Sequence, residues 1–268
     1  MTRPIQVMGV LNATPDSFSD GGRFEGLEAG LRHARALAAA GADILDIGGE
    51  STRPGAAPVS AEAEIARVVP LVAAIRAESA IPISVDTMKA EVACAAVAAG
   101  ASIWNDVTAL AAPGAPELAA ELGCDVVLMH MQGEPRTMQA EPRYDDVVAE
   151  VAAFLAGRAE AALAAGVAAE RIWLDPGIGF GKTLAHNLAL LAHLDRLVAL
   201  GFPVLLGVSR KRFIAALDPA AQAADARLPG SLAAALAGAR AGVAAVRVHD
   251  VAETVQALKV WSAIEGAR

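Results

Sequence analysis

The chain has 268 residues, enough for one large α/β domain or two smaller ones. Much of its 55% apolar content is alanine, which adds little core volume and favours helix because it loses no side-chain entropy there. A net charge of −8 and an aromatic content of 4% exclude a general nucleic-acid binder and a base-stacking platform, leaving room only for a local basic site, and no apolar run is long enough to predict a membrane span.

Strands are predicted at 5–11, 43–48, 82–86, 102–106, 126–130, 171–175, 203–209 and 244–250. Helices are predicted at 25–40, 60–78, 89–99, 115–122, 145–165, 184–200, 229–241 and 251–265. Glycine in "AAAGAD", "VAAGAS" and "ARAGVA" falls where a helix should end before the next strand. The strand runs are apolar on both faces, as parallel strands covered by helices are. Eight βα units in one chain predict a single-domain (β/α)₈ TIM barrel over 1–268, with a doubly wound sheet as the competing arrangement. "MTRPIQ" lacks the apolar stretch of a signal peptide. Cys94 and Cys124 share neither metal-ligand spacing nor a C-x-x-C, and are read as buried thiols of a reducing cytoplasm.

Polar residues concentrate where the strand runs end. After the first come Asn12 and "NATPDSFSDGG", with Asp16, Phe18, Ser19 and Asp20. "GGESTRPG" follows the second, with Glu50, Ser51, Thr52, Arg53 and Pro54. The third ends at Asp86, the fourth at Asn105 and Asp106, the fifth at Met129 and His130, and the sixth at Asp175 in "DPGIGFGK". The seventh runs into Ser209, Arg210 and Lys211, and the eighth carries Arg247, His249 and Asp250. A lone Asp at a strand end is usually a turn or a cap. Eight polar endings on one side, against mostly Gly, Ala and Pro on the other, predict a catalytic mouth. The polar, glycine-ended loop after Asn12 has the character of a lid, and the Asn12 amide carbonyl is a candidate ligand for a hard cation such as Mg²⁺. "GFGKT" is no phosphate-binding P-loop, because the glycine that motif requires falls at Pro176. His33, His186 and His193 lie in helical stretches and are read as solvated.

With "MGVLNATPDSFSDGG", "DILDIGGESTRPGA", "ISVDTMK", "IWNDV", "LMHMQGEPRTMQ", "LDPGIGFGKT", "GVSRK", "LPGSLAAAL" and "VRVHDV" in order from Val7 to Trp261, the sequence resembles the dihydropteroate synthase family of folate synthesis. The resemblance implies a (β/α)₈ barrel and a transferase joining 6-hydroxymethyl-7,8-dihydropterin diphosphate to p-aminobenzoate. The products would be 7,8-dihydropteroate and diphosphate. It implies pterin contacts from Asp86, Asn105, Met129, Asp175 and Lys211. A diphosphate clamp from Arg247 and His249 is implied with them, together with a Mg²⁺ ion held at Asn12. The p-aminobenzoate site would use Thr52, Arg53, Phe180, Ser209 and Lys211, and Asp16, Phe18, Ser19, Asp20, Arg53 and Pro54 would close over it. Catalysis would rest on Asp86, Lys211, Arg247 and His249 in an SN1-like path, with diphosphate leaving first. The resemblance further implies a cytoplasmic homodimer and a sulfonamide target. Two other readings compete: a methyltetrahydrofolate-binding methyltransferase domain, and a non-catalytic pterin-binding paralogue.

Overall fold

A computed structural model describes residues 5–13, 23–51, 58–134 and 137–267. The first half contains β1 (Gln6–Asn12), α1 (Arg23–Ala39), β2 (Ile44–Gly48), α2 (Ala61–Glu78), β3 (Ile83–Asp86), α3 (Ala90–Ala98), β4 (Ile103–Asp106) and α4 (Ala115–Leu122). The second contains β5 (Asp125–Met129), α5 (Val147–Ala164), β6 (Ile172–Asp175), α6 (Leu184–Ala192), α7 (Leu194–Val198), β7 (Leu205–Gly207), α8 (Arg212–Leu217), α9 (Leu228–Ala241), β8 (Ala245–Val248) and α10 (Val251–Gly266). The expected helix at 184–200 is two helices, because His193 leaves helical geometry at φ −123° and ψ 32°. The six-residue α8 was not expected; its run is too short to show a period.

All strand pairs are parallel, in the order β6-β5-β4-β3-β2-β1-β8-β7. A parallel bridge between Leu174 and Val204 joins β6 to β7 and closes the ring. That bridge excludes the doubly wound sheet, whose end strands stay apart. Gly41, Gly100 and Gly242 take φ of 98°, 115° and 90° at helix ends, as the sequence predicts.

Strand alternation divides the core in two. Val7, Leu45, Val85, Trp104, Val126, Leu174, Leu206 and Val246 pack outward in the layer between strands and helices. Met8, Ile44, Ile103, Val127, Trp173, Leu205 and Ala245 form a separate cluster inside the ring. This cluster fills the lower barrel with side chains, so the barrel is a packed body with one open end rather than a pore. A cavity of ≈ 340 Å³ on the outside, between α1 and α2, is lined by Arg35, Leu45, Ile75 and Glu78 and lies away from the strand ends.

Two local readings are corrected. Cys124 is buried as expected, but Cys94 lies exposed on α3. His186 is half-buried rather than solvated: its Nδ1 accepts the Thr183 N–H at 3.2 Å, and its ring meets Tyr144 edge-on at 4.9 Å.

Candidate active site

The interior cluster fixes where the chemistry sits. Two residues further along each strand, the side chain returns to the inside of the barrel. From the seven interior apolar residues this step gives Val10, Asp46, Asn105, Met129, Asp175, Gly207 and Arg247. On β3 the same face carries Ser84 and then Asp86, since Ile83 and Val85 point outward. The apolar floor is thus overlaid at the C-terminal end by a polar ring.

Arg247 joins that ring. Its guanidinium donates from Nε to Asp46 at 2.6 Å and from Nη2 to Asp86 at 2.7 Å. The Asn105 amide donates to the other Asp46 oxygen at 3.4 Å. Burial alone would lower Arg247, but Asp46 and Asp86 hold it above its ordinary value, so it stays a fixed cation. Asp86 is pushed up to about 7 by burial; Arg247 opposes the rise, and Asp46 adds to it. Asp175 is raised by burial, against the Gly177 N–H at 2.7 Å and the charge of Lys211. Burial lowers Lys211 to about 8 against the pull of Asp175. Its ammonium donates to the Ile178 carbonyl at 2.8 Å and lies 4.2 Å from the centre of the Phe180 ring.

Small residues keep the mouth open. A methyl group at Gly48 would stand 3.8 Å from an Asp86 oxygen, and one at Gly207 the same distance from an Asp175 oxygen. A side chain at either position would occupy space between the carboxylates. Met129 pairs in register with Asp175 and supplies an apolar surface to the same ring. Ser209 is buried, and its hydroxyl accepts the His249 N–H at 3.1 Å and contacts His249 Nδ1 at 3.0 Å. Asn12 ends β1 beside Gly48.

Asp86, Asn105, Met129, Asp175, Phe180, Ser209, Lys211, Arg247, His249 and Asn12 therefore all come from strand ends or the segments that follow them at one end of the barrel. Asp16, Phe18, Ser19, Asp20, Thr52, Arg53 and Pro54 lie outside the described residues. Glu50 ties the base of the second loop: it accepts the Val59 N–H at 2.8 Å and pairs with Lys89 at 2.6 Å, and Lys89 also reaches the buried Glu64. Asp106 takes the bland role, accepting from the Thr108 N–H and hydroxyl and from the Leu110 N–H.

Sequence reasoning passed over Asp46 and noted Arg210 at a strand end without giving it a role. Asp46 is fully buried, and the signal was available: a carboxylate two residues after Ile44, inside an apolar strand, needs a cationic partner. Arg210 takes φ 58°, an uncommon conformation for a side chain of its size. The Ser231 hydroxyl holds its N–H at 2.8 Å, Arg227 holds its carbonyl at 2.9 Å, and Asp250 takes its guanidinium through two bonds. This pinned kink separates Ser209 from Lys211, its two neighbours at the mouth. Backbone strain of this kind has no signature in residue type.

The chain matches the pterin binding enzyme family over residues 8–249. It is 50% identical over 262 residues to the dihydropteroate synthase of Escherichia coli K12, covering 98% of this chain and 92% of that protein. The chain belongs to the dihydropteroate synthase family. Members of the dihydropteroate synthase family are transferases, and solved structures of the family share this barrel. The Xanthomonas albilineans dihydropteroate synthase with 4-aminobenzoic acid superposes with a TM-score of 0.92 at 53% identity, covering 98% of this chain and 93% of that one. The same enzyme in complex with 7,8-dihydropteroate gives 0.89 at 50% identity, with coverage of 98% and 94%. The Yersinia pestis dihydropteroate synthase, solved as a sulfonamide drug complex, gives 0.92 at 48% identity, with coverage of 98% and 95%. The methyltransferase reading falls here, since full-length identity near one half runs to synthases.

Proposed function

We propose that the chain condenses 6-hydroxymethyl-7,8-dihydropterin diphosphate with p-aminobenzoate. The C–O bond to diphosphate breaks with its electron pair leaving on the diphosphate. The aryl nitrogen then bonds the freed methylene carbon and sheds a proton, giving 7,8-dihydropteroate. The observation that carries this reading is the interior ring of Asp46, Asp86, Asn105, Asp175 and Arg247, with Lys211 beside it.

A pterin has a flat ring whose amide N–H and amino group form a two-donor edge. The carboxylate of Asp175 matches that edge, with one oxygen already oriented by the Gly177 N–H. Asp86 and Asn105 take further ring polar groups, Lys211 faces the ring carbonyl and N5, and Met129 packs on the ring face. Arg247 and His249 clamp the diphosphate. The aryl amine lies by Phe180, Ser209 and Lys211, with Thr52 and Arg53 from the second loop. Asp16, Phe18, Ser19, Asp20, Arg53 and Pro54 close over both.

An SN1-like order suits the charges. Three interior carboxylates face two cations, Arg247 and Lys211, so a cationic methylene beside Asp86 meets favourable charge. A preorganised contact of this kind lowers the barrier by about 3 kcal/mol. The aryl amine is unprotonated at neutral pH and needs no strong base to attack. Mg²⁺ fits the residues present: it keeps most of its waters, binds substrate phosphates and takes few protein oxygens, and a single amide carbonyl at Asn12 is enough. When bound, Mg²⁺ would neutralise charge on the departing diphosphate.

We further propose a homodimer working in the cytoplasm. Val260 and Ile264, one turn apart on α10, expose more than half their surface, which favours a covered face in an assembly. Among the described residues no helix is long and apolar enough to cross a membrane.

The test is turnover by the purified protein with both substrates and Mg²⁺, read by chromatography of dihydropteroate and release of diphosphate, with chelator as the control. Product formation supports the reading. Pterin binding without turnover would leave the non-catalytic paralogue, and full activity in chelator would remove the metal. Light scattering tests the dimer.

A further inference from the structure

Behind the mouth, Lys182 is only 3% exposed, and among the described residues no carboxylate pairs with it. A buried ammonium without a carboxylate is costly, and an apolar side chain would fill the volume more cheaply. Its three donors have three acceptors instead: His130 Nδ1 at 2.9 Å, the His130 carbonyl at 3.2 Å and the Phe180 carbonyl at 3.0 Å. One side of this junction is the end of β5. The other is the 176–182 segment, whose Ile178 carbonyl holds Lys211 and whose Phe180 ring lies beside the same ammonium.

That segment places Gly177, Gly179 and Gly181 at positive φ, so its own backbone dictates little and outside contacts set its course. Asp175 and Asn187 hold the N–H groups of Gly177 and Gly179, and Tyr144 holds the Gly181 carbonyl. At Phe180 itself the N–H donates to the Gly177 carbonyl at 3.0 Å within the segment, and Lys182 holds the carbonyl from outside it.

We propose that Lys182 is a positioning residue for the aryl-amine half of the reaction, its ammonium tying the Phe180 carbonyl to the end of β5 and so fixing the Phe180 ring against Lys211. This rests on the placement of the aryl amine beside Phe180 given above.

The groups around Lys182 make the role pH-dependent. His130, the residue after β5, is lowered to about 3 by burial and by Lys182, so it stays a neutral acceptor. Tyr144, which flanks His130 and meets His186 of α6, is pushed up to about 12 by burial and keeps its proton. Burial lowers Lys182 itself to about 7, with Asp175 opposing and Lys211 adding. As pH rises through neutrality the ammonium becomes an amine with two donors, and one of the three acceptors loses its bond.

The test is steady-state kinetics with p-aminobenzoate and the pterin diphosphate from about pH 6 to about pH 9, on the wild type, Lys182→Met and Phe180→Ala. Lys182→Met should raise the p-aminobenzoate KM about ten-fold at the acid end, leave the pterin diphosphate KM within about two-fold, and flatten the rise expected of the wild type across neutrality. A wild-type p-aminobenzoate KM in Lys182→Met, equal rises in both KM values, or a pH profile of the p-aminobenzoate KM that superposes on the wild type's in shape each overturns the role of Lys182; a residual step near Lys211's own value of about 8 does not count against it. A wild-type p-aminobenzoate KM in Phe180→Ala instead overturns the placement of the amine, which separates the two failures. If Lys182→Met does not fold, Lys182→Gln takes its place, since its shorter amide keeps a polar donor at the junction and has no proton to lose near neutrality. An intermediate KM with a pH profile flatter than the wild type's supports the proposal, and a profile of wild-type shape overturns it.

Discussion

Asp46→Asn tests whether Asp46 and Asp86 share one cation. Asp46 is fully buried and accepts Nε of Arg247 at 2.6 Å, while Asp86 accepts Nη2 at 2.7 Å. The substitution keeps the shape and removes one charge. A like charge nearby moves a carboxyl by about 1–3 units, and because Arg247 stands between the two, the lower end applies: about one unit, or about 1.4 kcal/mol. Asp86, pushed up to about 7 in the intact site, should therefore titrate lower in the variant. If ionised Asp86 stabilises the methylene cation, the acid limb of kcat should move about one unit toward acid. Losing a charge-assisted bond costs about 1.5–3 kcal/mol, and because the new amide oxygen still accepts from Arg247, the expected loss of stability is about 2 kcal/mol. The assay is kcat at saturating substrates across pH, with a urea titration beside it; substrate ionisation is common to both proteins and cancels. An acid limb that stays in place, or moves toward alkali, would refute the shared-cation reasoning.

Arg247→Ala leaves two buried carboxylates facing each other and should cost about 3–5 kcal/mol of stability. By calorimetry it should weaken the pterin diphosphate far more than the bare pterin; equal losses would contradict the clamp. Gly177→Ala places a methyl group 1.9 Å from the His130 carbonyl oxygen at φ 63°, with backbone on both sides of the clash. It should cost more than about 3 kcal/mol in a denaturant titration and reduce pterin affinity by disturbing Asp175; a change under about 1 kcal/mol would mean the segment yields freely. Asp86→Asn reads the linkage. The folded carboxyl at about 7 lies above its ordinary value of 3.8, so between these values the native state holds a proton that the unfolded chain has lost, and wild-type stability falls as pH rises through that window. Relative to wild type, the Asn variant should gain in Tm between about pH 4 and about pH 7, and an unchanged difference would deny the raised carboxyl.

The barrel was legible because its signals repeat. Eight apolar runs, separated by helical stretches ending in glycine, leave few arrangements, and the bridge between Leu174 and Val204 selects the closed one. The ring of site residues was legible for a second reason: a polar residue ending a strand that is apolar on both faces has no packing role. That argument found Asp86, Asn105 and Asp175, each last or next to last in its run, but looked no deeper into β2. Asp46 escaped because it lies two residues before the end of β2, with Ile47 and Gly48 after it. Counting alternate residues from the apolar floor, rather than endings, would have caught it. Arg210 and Lys182 were beyond reach for a different reason. Their roles depend on a positive φ and on carbonyls, and no residue type advertises where a carbonyl points.

The division between floor and ring also explains why the chemistry tolerates so much buried charge. Each of Asp46, Asn105, Asp175 and Arg247 follows an apolar interior residue by two positions on its strand, so the packed cluster of Met8, Ile44, Ile103, Val127, Trp173, Leu205 and Ala245 lies directly beneath the charges. A floor that excludes water from below strengthens every charge pair above it and fixes their geometry before substrate arrives. The same floor raises Asp86 and Asp175 and lowers Lys211, because burial penalises whichever form is charged. Stability and function therefore pull on the same residues in opposite directions. Removing one charge of the ring leaves its partner unpaired and costs stability, whereas replacing Asp46, Asp86 and Arg247 together by apolar side chains of similar volume should give an equally or more stable barrel with a poorer grip on an ionic transition state. The buried charges are a cost the fold carries in order to hold such a state.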